Sequence, residues 1–289
     1  MSHDAVLLPE PTFIDVDGVA VATWLLEPDG PPRGPDVVLC HGTPWSAAVW
    51  SAAARHLARH RRVRLWDMPG YGASAKEEQV PVDLGSQMRR FAQLLDRWRL
   101  SAPSVIAHDI GGAVALGAHL LHGRDYASLH LWDIVALEPW GSPFFRLVSA
   151  HQEVFSQLPP ELHAALVREY IAGAARQPLT PAWVEILTEP WLGPTGQAAF
   201  YRQISQLRVE DTRPVVDRLG ELRCPVRIGW GEDDPWIAVE QAHRLRRALP
   251  GDPETTTLAG VGHLGPVESP AAIHRELDAW LAERLTSRG

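Results

Sequence analysis

Lysine is nearly absent. Lys76 is the only one among 27 basic residues and the rest are arginines, a coding bias without functional content. The basic residues form no block and the formal net charge is −8. Neither a phosphate-binding stripe nor a nucleic-acid partner is expected. There are two cysteines, Cys40 and Cys224. One pair makes no disulfide framework, and neither cysteine stands in a metal-ligand spacing. Cys40 ends an apolar run and reads as a small buried hydrophobe. No apolar run approaches the ~18 residues of a membrane-spanning helix. Residues Met1 to Pro11 lack the basic-then-apolar order of a secretory signal. Internal repeats and low-complexity tracts are missing too. These absences point to a cytoplasmic protein that acts without membrane or metal, as a monomer or homodimer.

What is present is ordinary in bulk and specific in detail. A chain of 289 residues, 45% apolar and 21% charged, can bury one large core and still carry a smaller inserted module. Twelve tryptophans exceed what the core needs. Several lie between Trp140 and Trp191, where they are expected to line an apolar cavity.

Short apolar runs alternate with helical patterns through the first part of the chain. Strands are expected at Val19–Glu27, Asp36–Cys40, Arg62–Asp67, Pro103–His108 and Ser128–Leu137. Helices are expected at Ala47–Arg59, Val82–Arg99 and Gly111–His122. Such alternation implies parallel strands joined by crossover helices. From Trp140 to about Thr212 the pattern turns helical and proline-punctuated, with no convincing strand. Pro225–Trp230 and Glu254–Leu258 resume the strands, followed by helices at Trp236–Leu249 and Pro270–Leu285. The expected fold is α/β, a mostly parallel sheet with helices on both faces and one helical insertion.

Four strand-end segments carry chemistry. Ala107-His108-Asp109-Ile110-Gly111-Gly112 joins a strand to a helix, with small residues where a sharp turn would crowd backbone and helix. This is the setting of a nucleophile elbow, with Asp where the commoner pattern has Ser. The alternative is that Asp109 simply caps the helix. A helix N-terminus favours the ionised carboxylate, the form that attacks. His41-Gly42-Thr43-Pro44 follows an earlier strand and is placed to supply an oxyanion donor, so the backbone N–H groups of Thr43 and Ile110 are the expected pair. The alternative is a plain turn. Asp67 to Ser74 reads as a structural Gly/Pro loop. Gly231-Glu232-Asp233-Asp234-Pro235 offers a carboxylate to orient a histidine, with Asp234 preferred to Asp233, or else a helix cap. Gly260-Val261-Gly262-His263 puts a histidine on the loop after the last strand. Asp109, Asp234 and His263 thus occur in the order nucleophile, acid, histidine, each at a strand end where ligands of open α/β sheets bind.

With these residues the chain resembles the α/β-hydrolase superfamily over nearly its whole length. More narrowly, it looks like the branch with an aspartate nucleophile, the epoxide hydrolases and the haloalkane and haloacetate dehalogenases. The likeness rests on His41-Gly42-x-Pro44 with Trp50, on His108-Asp109-x-Gly111-Gly112, and on Gly262-His263. The resemblance implies a core of residues 1–138 and 213–289 and a helical cap of residues 139–212. It implies hydrolysis of a small apolar molecule at a saturated carbon through an aspartyl ester, with no cofactor. It also implies cap residues at the leaving group: Tyr201, at the position of the ring-opening tyrosine, and His151, with Trp140 beside them. Two departures stand out. Ile110 replaces the tryptophan or arginine that holds halide or carboxylate in the dehalogenases, and Thr43 replaces an asparagine. An epoxide hydrolase is the first expectation and a haloalkane or haloacid dehalogenase the second. A biosynthetic enzyme on the same scaffold, or a ligand-binding protein without turnover, is the rival from another class.

Overall fold

In the computed structural model, which describes residues 7–286, eight strands form one sheet. They are β1 (Thr12–Val16), β2 (Val19–Leu26), β3 (Val37–Cys40), β4 (Val63–Trp66), β5 (Ser104–His108), β6 (Ser128–Trp132), β7 (Val226–Gly231) and β8 (Thr255–Leu258). Their order across the sheet is β1-β2-β4-β3-β5-β6-β7-β8. The first two strands join antiparallel and all pairings from β4 to β8 are parallel. The expected α/β architecture is therefore present. Strands β3, β5 and β6 are buried at every residue, as strands covered on both faces by helices must be.

Strand β1 was not foreseen. Asp17 and Gly18 both have positive φ and form a two-residue turn between Val16 and Val19. Asp-Gly between apolar runs is a hairpin signal that the sequence did contain. Strand β6 is shorter than expected and stops at Trp132 rather than Leu137. Asp133 takes φ 45°, and a left-handed residue cannot continue a strand.

The helices follow the chain. In the core, α1 (Ser51–Ala58) follows a 3₁₀ turn, and α2 (Leu84–Arg97) packs against α3 (Ile110–Leu120). Helix α3 is buried throughout, and its glycines permit that: a Cβ on Gly117 would lie 2.3 Å from the Met88 sulfur on α2. After β6 come α4 (Pro143–Ala150), α5 (Gln152–Phe155), α6 (Pro160–Ala172), α7 (Pro181–Thr188) and α8 (Gly193–Gln206). Three of the five start at a proline, which fits the first helical turn because it needs no N–H there. Residues 139–212 contain no strand. This layer lies over the carboxyl end of the sheet: Trp191 donates to the Pro44 carbonyl (2.8 Å), and Gln203 accepts from the Thr43 hydroxyl (2.8 Å). The chain closes with α9 (Arg213–Val216), α10 (Glu240–Ala248), α11 (Gly265–Glu268) and α12 (Pro270–Thr286).

Candidate active site

Asp109 joins β5 to α3 at φ 54°, ψ −128°. This is a strained conformation for a residue with a side chain, of the kind that persists only where surroundings enforce it. The surroundings are glycines. A Cβ on Gly111 would lie 2.3 Å from the His41 carbonyl oxygen, and one on Gly112 would lie 2.4 Å from Ile134. The expected crowding at the elbow is thus real. The carboxylate makes no capping bond to α3, which removes the simple helix-cap alternative. Oδ1 instead accepts the Thr43 N–H at 2.6 Å, and the Ile110 N–H also stabilises the carboxylate.

The loop that carries Thr43 is held by His41. Its Nδ1 donates to the Gly42 carbonyl (2.8 Å), and its Nε2 accepts the Met68 N–H (2.9 Å). Gly42 is obligatory, since a Cβ there would lie 2.3 Å from Asp109. Pro44 follows, and its carbonyl takes the Trp191 indole N–H. The Asp67 loop is structural as expected. The Asp67 carboxylate accepts N–H groups of Ala47 and Ala73, each at 2.7 Å.

His263 lies on the other side of Asp109 and is fully buried. Its Nδ1 contacts Asp234 Oδ2 at 2.8 Å, and its Nε2 is 3.4 Å from Asp109 Oδ2. The second distance is long for a hydrogen bond, so this contact is chiefly electrostatic. Asp234 serves two ends at once. Its Oδ1 accepts the N–H groups of Trp236 (2.7 Å) and Ile237 (2.9 Å). The histidine-partner reading of that carboxylate holds, whereas the helix-cap reading does not, because the two N–H groups belong to a bend and the helix begins only at Glu240. Asp233 is turned outward toward Arg176. His108 donates from Nε2 to the His263 carbonyl (2.8 Å). Burial, and then the nearby His263, push the His108 imidazole down to about 4, so it is a neutral brace.

Burial alone would drive His263 to its neutral form. The carboxylates of Asp234 and Asp109 on either side outweigh that and raise its pKa well above the usual value. Burial would likewise raise Asp109, but His263 and the backbone donors hold it below the ordinary carboxylate range.

The histidine loop is stapled to the segment that follows α6. Glu268 accepts N–H groups of Arg176 (2.7 Å), Gln177 (3.3 Å), Gly262 (3.2 Å) and Leu264 (3.1 Å). The His263 N–H goes to the Ala174 carbonyl (3.0 Å).

Asp109, Thr43 and Ile110 form one side of a small, largely apolar cavity; Trp140, Phe145, Tyr170, Trp236 and Ile237 are among its walls. The tryptophan-rich cavity expected from the sequence is present, although Trp140 is the only tryptophan of the 140–191 stretch that lines it. Trp236 is stacked between Tyr170 (4.6 Å between ring centroids) and Trp45 (5.5 Å).

Two placements require correction. Tyr201 does not reach the cavity. It is fully buried, and its hydroxyl is 2.8 Å from Nδ1 of His163, whose Nε2 is committed to the Trp191 carbonyl (2.8 Å). His151 is exposed at the junction of α4 and α5 and lines no part of the cavity. The tyrosine that shares the cavity lining with Asp109 is Tyr170. Burial, and then the Asp109 charge, raise its pKa. A signal for Tyr170 existed: α6 buries His163, Val167 and Ile171, and position 170 borders that stripe at helical spacing.

A parallel sheet whose strand-end loops bring a carboxylate, a histidine and two backbone donors under a helical layer defines an α/β-fold hydrolase scaffold. The sequence pattern of the Alpha/beta hydrolase family matches residues 37–276, and the chain belongs to that family. An alpha/beta hydrolase fold protein from Burkholderia ambifaria is 41% identical, with a TM-score of 0.88 over 93% of this chain and 97% of that one. A pimeloyl-[acyl-carrier protein] methyl ester esterase from Vibrio vulnificus is 27% identical over 75% of this chain and 83% of its own. A haloalkane dehalogenase from Bradyrhizobium elkani shares the fold, with a TM-score of 0.78 at 17% identity over 96% of this chain and 98% of its own. Among the described residues no helix is long and apolar enough to cross a membrane, and no group of His, Cys, Asp and Glu is arranged to hold a metal ion.

Proposed function

We propose that this chain hydrolyses a small apolar substrate at a saturated carbon through an ester on Asp109, and that the substrate is an epoxide. One observation carries the reading. At the elbow, where esterases of this fold need a hydroxyl, stands a carboxylate with Oδ1 on the Thr43 N–H and Oδ2 beside His263. His263 bonds to Asp234 and to no hydroxyl of the cavity lining, and the Thr43 hydroxyl donates to Gln203. The esterase chemistry named for the Vibrio vulnificus relative therefore lacks its nucleophile at this position.

Oδ2 of Asp109 attacks the epoxide carbon and the ring C–O bond breaks. Tyr170, kept protonated by burial, donates its proton to the departing oxygen. Oδ1 becomes the ester carbonyl and already accepts the Thr43 N–H, with the Ile110 N–H beside the same carboxylate. In the second step His263 takes a proton from water, and the hydroxide adds to Cγ of Asp109. The oxyanion on Oδ1 is stabilised by those two donors. Collapse expels the diol oxygen, which takes the proton from His263. Asp234 orients the imidazole throughout. Asp109 is regenerated as the acid and gives its proton to solvent, from which the phenolate of Tyr170 regains one as the diol leaves.

The dehalogenase reading is weaker. Ile110 presents no donor to a halide, Trp140 turns its indole N–H toward Thr212 (3.4 Å), and no cationic side chain lines the cavity to hold a haloacid. The test is a panel of small epoxides, haloalkanes and haloacids, read by diol and halide release. Diol from an epoxide without halide from the others is expected. Halide release with inert epoxides overturns the choice of substrate, and methyl-ester cleavage that survives Asp109→Ala overturns the nucleophile.

A further inference from the structure

One buried acid has no part in the chemistry above. Asp133 ends β6 in the left-handed conformation, φ 45°, and is fully buried. Its N–H is held by the Gly229 carbonyl (3.1 Å), and its Oδ1 accepts the Gly231 N–H (2.8 Å). Its Oδ2 receives no donor. The groups facing its carboxyl are the Asp234 carboxyl and His263; no arginine or lysine does.

Gly231 ties the two acids together, its N–H held by Asp133 (2.8 Å) and its carbonyl by the Asp234 N–H (3.3 Å), and two neighbouring buried carboxyl groups cannot both ionise, so one keeps its proton. Asp234 has three donors, the N–H groups of Trp236 and Ile237 and the His263 imidazole. Asp133 has one. Hydrogen bonds to the charged form favour that form, so the charge belongs on Asp234 and the proton on Asp133. We propose that Asp133 is protonated at neutral pH and donates a hydrogen bond from Oδ2 to the Asp234 carboxylate. It is a positioning residue that fixes the acid on which His263 turns. Burial and the neighbouring Asp234 both push the Asp133 carboxyl upward, in the same direction.

The consequence concerns His263. Two carboxylates on its far side would hold the imidazole in its charged form and leave it unable to accept a proton from water. A neutral Asp133 leaves one anion to orient the ring. It also ties the end of β6 to the β7 loop through Gly231, so the acid cannot swing. The proton is held, not transferred, and nothing is consumed.

The proposal rests on the reading of Asp234 as the partner of His263, and its test does not need turnover. Infrared difference spectra of the full chain in light and heavy water at neutral pH should show a protonated-carboxyl band that is missing from Asp133→Asn. Asparagine keeps both the acceptor for Gly231 and a donor for Asp234. D133N should therefore recover most of the rate that D133A loses, while D133A lowers kcat roughly tenfold to a hundredfold at unchanged KM. If the spectra of the parent and D133N match in the carboxyl region, the proposal is overturned. It is overturned equally if D133N is as slow as D133A. An absent ester on Asp109 with the band present would sink the proposed reaction and leave Asp133 as assigned.

Discussion

The backbone N–H of Thr43 lies 2.6 Å from Oδ1 of Asp109, across 66 residues of sequence. The nucleophile thus rests with one oxygen already in the position that the oxyanion will occupy. Only the other oxygen is free to attack, and the water-derived oxygen must enter at Cγ. His263→Gln should therefore stall after the first step. Intact-protein mass spectrometry with an epoxide should find the chain heavier by one substrate, with the adduct on the peptide carrying Asp109. A single turnover of the parent in heavy-oxygen water should label Asp109. Turnover that leaves this residue unlabelled contradicts the ester mechanism.

The same contact makes Gly42 indispensable. An added methyl would lie 2.3 Å from both Cβ and Oδ1 of Asp109, so Gly42→Ala must displace either the nucleophile or the donor loop. The rate should fall by ~10²–10³, as for loss of an oxyanion donor. Overpacking should cost about 1–3 kcal/mol in urea unfolding. A variant with normal kinetics would mean that the loop moves freely, against the geometry described.

Two tyrosines separate the roles of the helical layer. Tyr170→Phe should reduce ring opening by ~10²–10⁴, measured as the rate of ester formation in the His263→Gln background. Tyr201→Phe removes the hydroxyl bound to His163 and should cost about 1 kcal/mol of stability with little change in that rate. Reversed outcomes would restore Tyr201 to the leaving group.

Charge on Asp109 is one cause of the raised His263 pKa. Esterification removes that charge, so the imidazole should become a weaker proton holder at the moment when it must act as a base. Asp109→Asn mimics the uncharged ester. An NMR titration of the His263 ring should give a lower pKa in this variant than in the parent. The acid limb of ester hydrolysis should lie correspondingly below the titration of His263 in the resting enzyme. An unchanged or higher value in the variant contradicts this account.

The sheet and the strand-end loops were legible because their signals are local. Asp109, Asp234 and His263 each follow a short apolar run, and glycines mark the turns at 42, 111 and 262. The cavity wall was not legible in this way. Tyr170 and Trp236 of the wall, and Trp45 stacked on Trp236, come from three distant segments and meet only through tertiary packing. Helix α8 misled for a related reason. Phe200, Tyr201, Arg202 and Gln203 are all buried, so periodicity could not tell which of them looks at Asp109. The start of α10 was misplaced because Asp234 captures the N–H groups of Trp236 and Ile237, and the regular helix begins only at Glu240.

Glu268 binds backbone on both sides of the divide between the histidine loop and the segment that follows α6. Tyr170 lies in the last turn of that helix. An engineer who reshapes α6 to admit a bulkier molecule will pull on the backbone that carries His263. Breadth of substrate and strength of the base are mechanically geared to each other here, and selection for the one will be felt in the other.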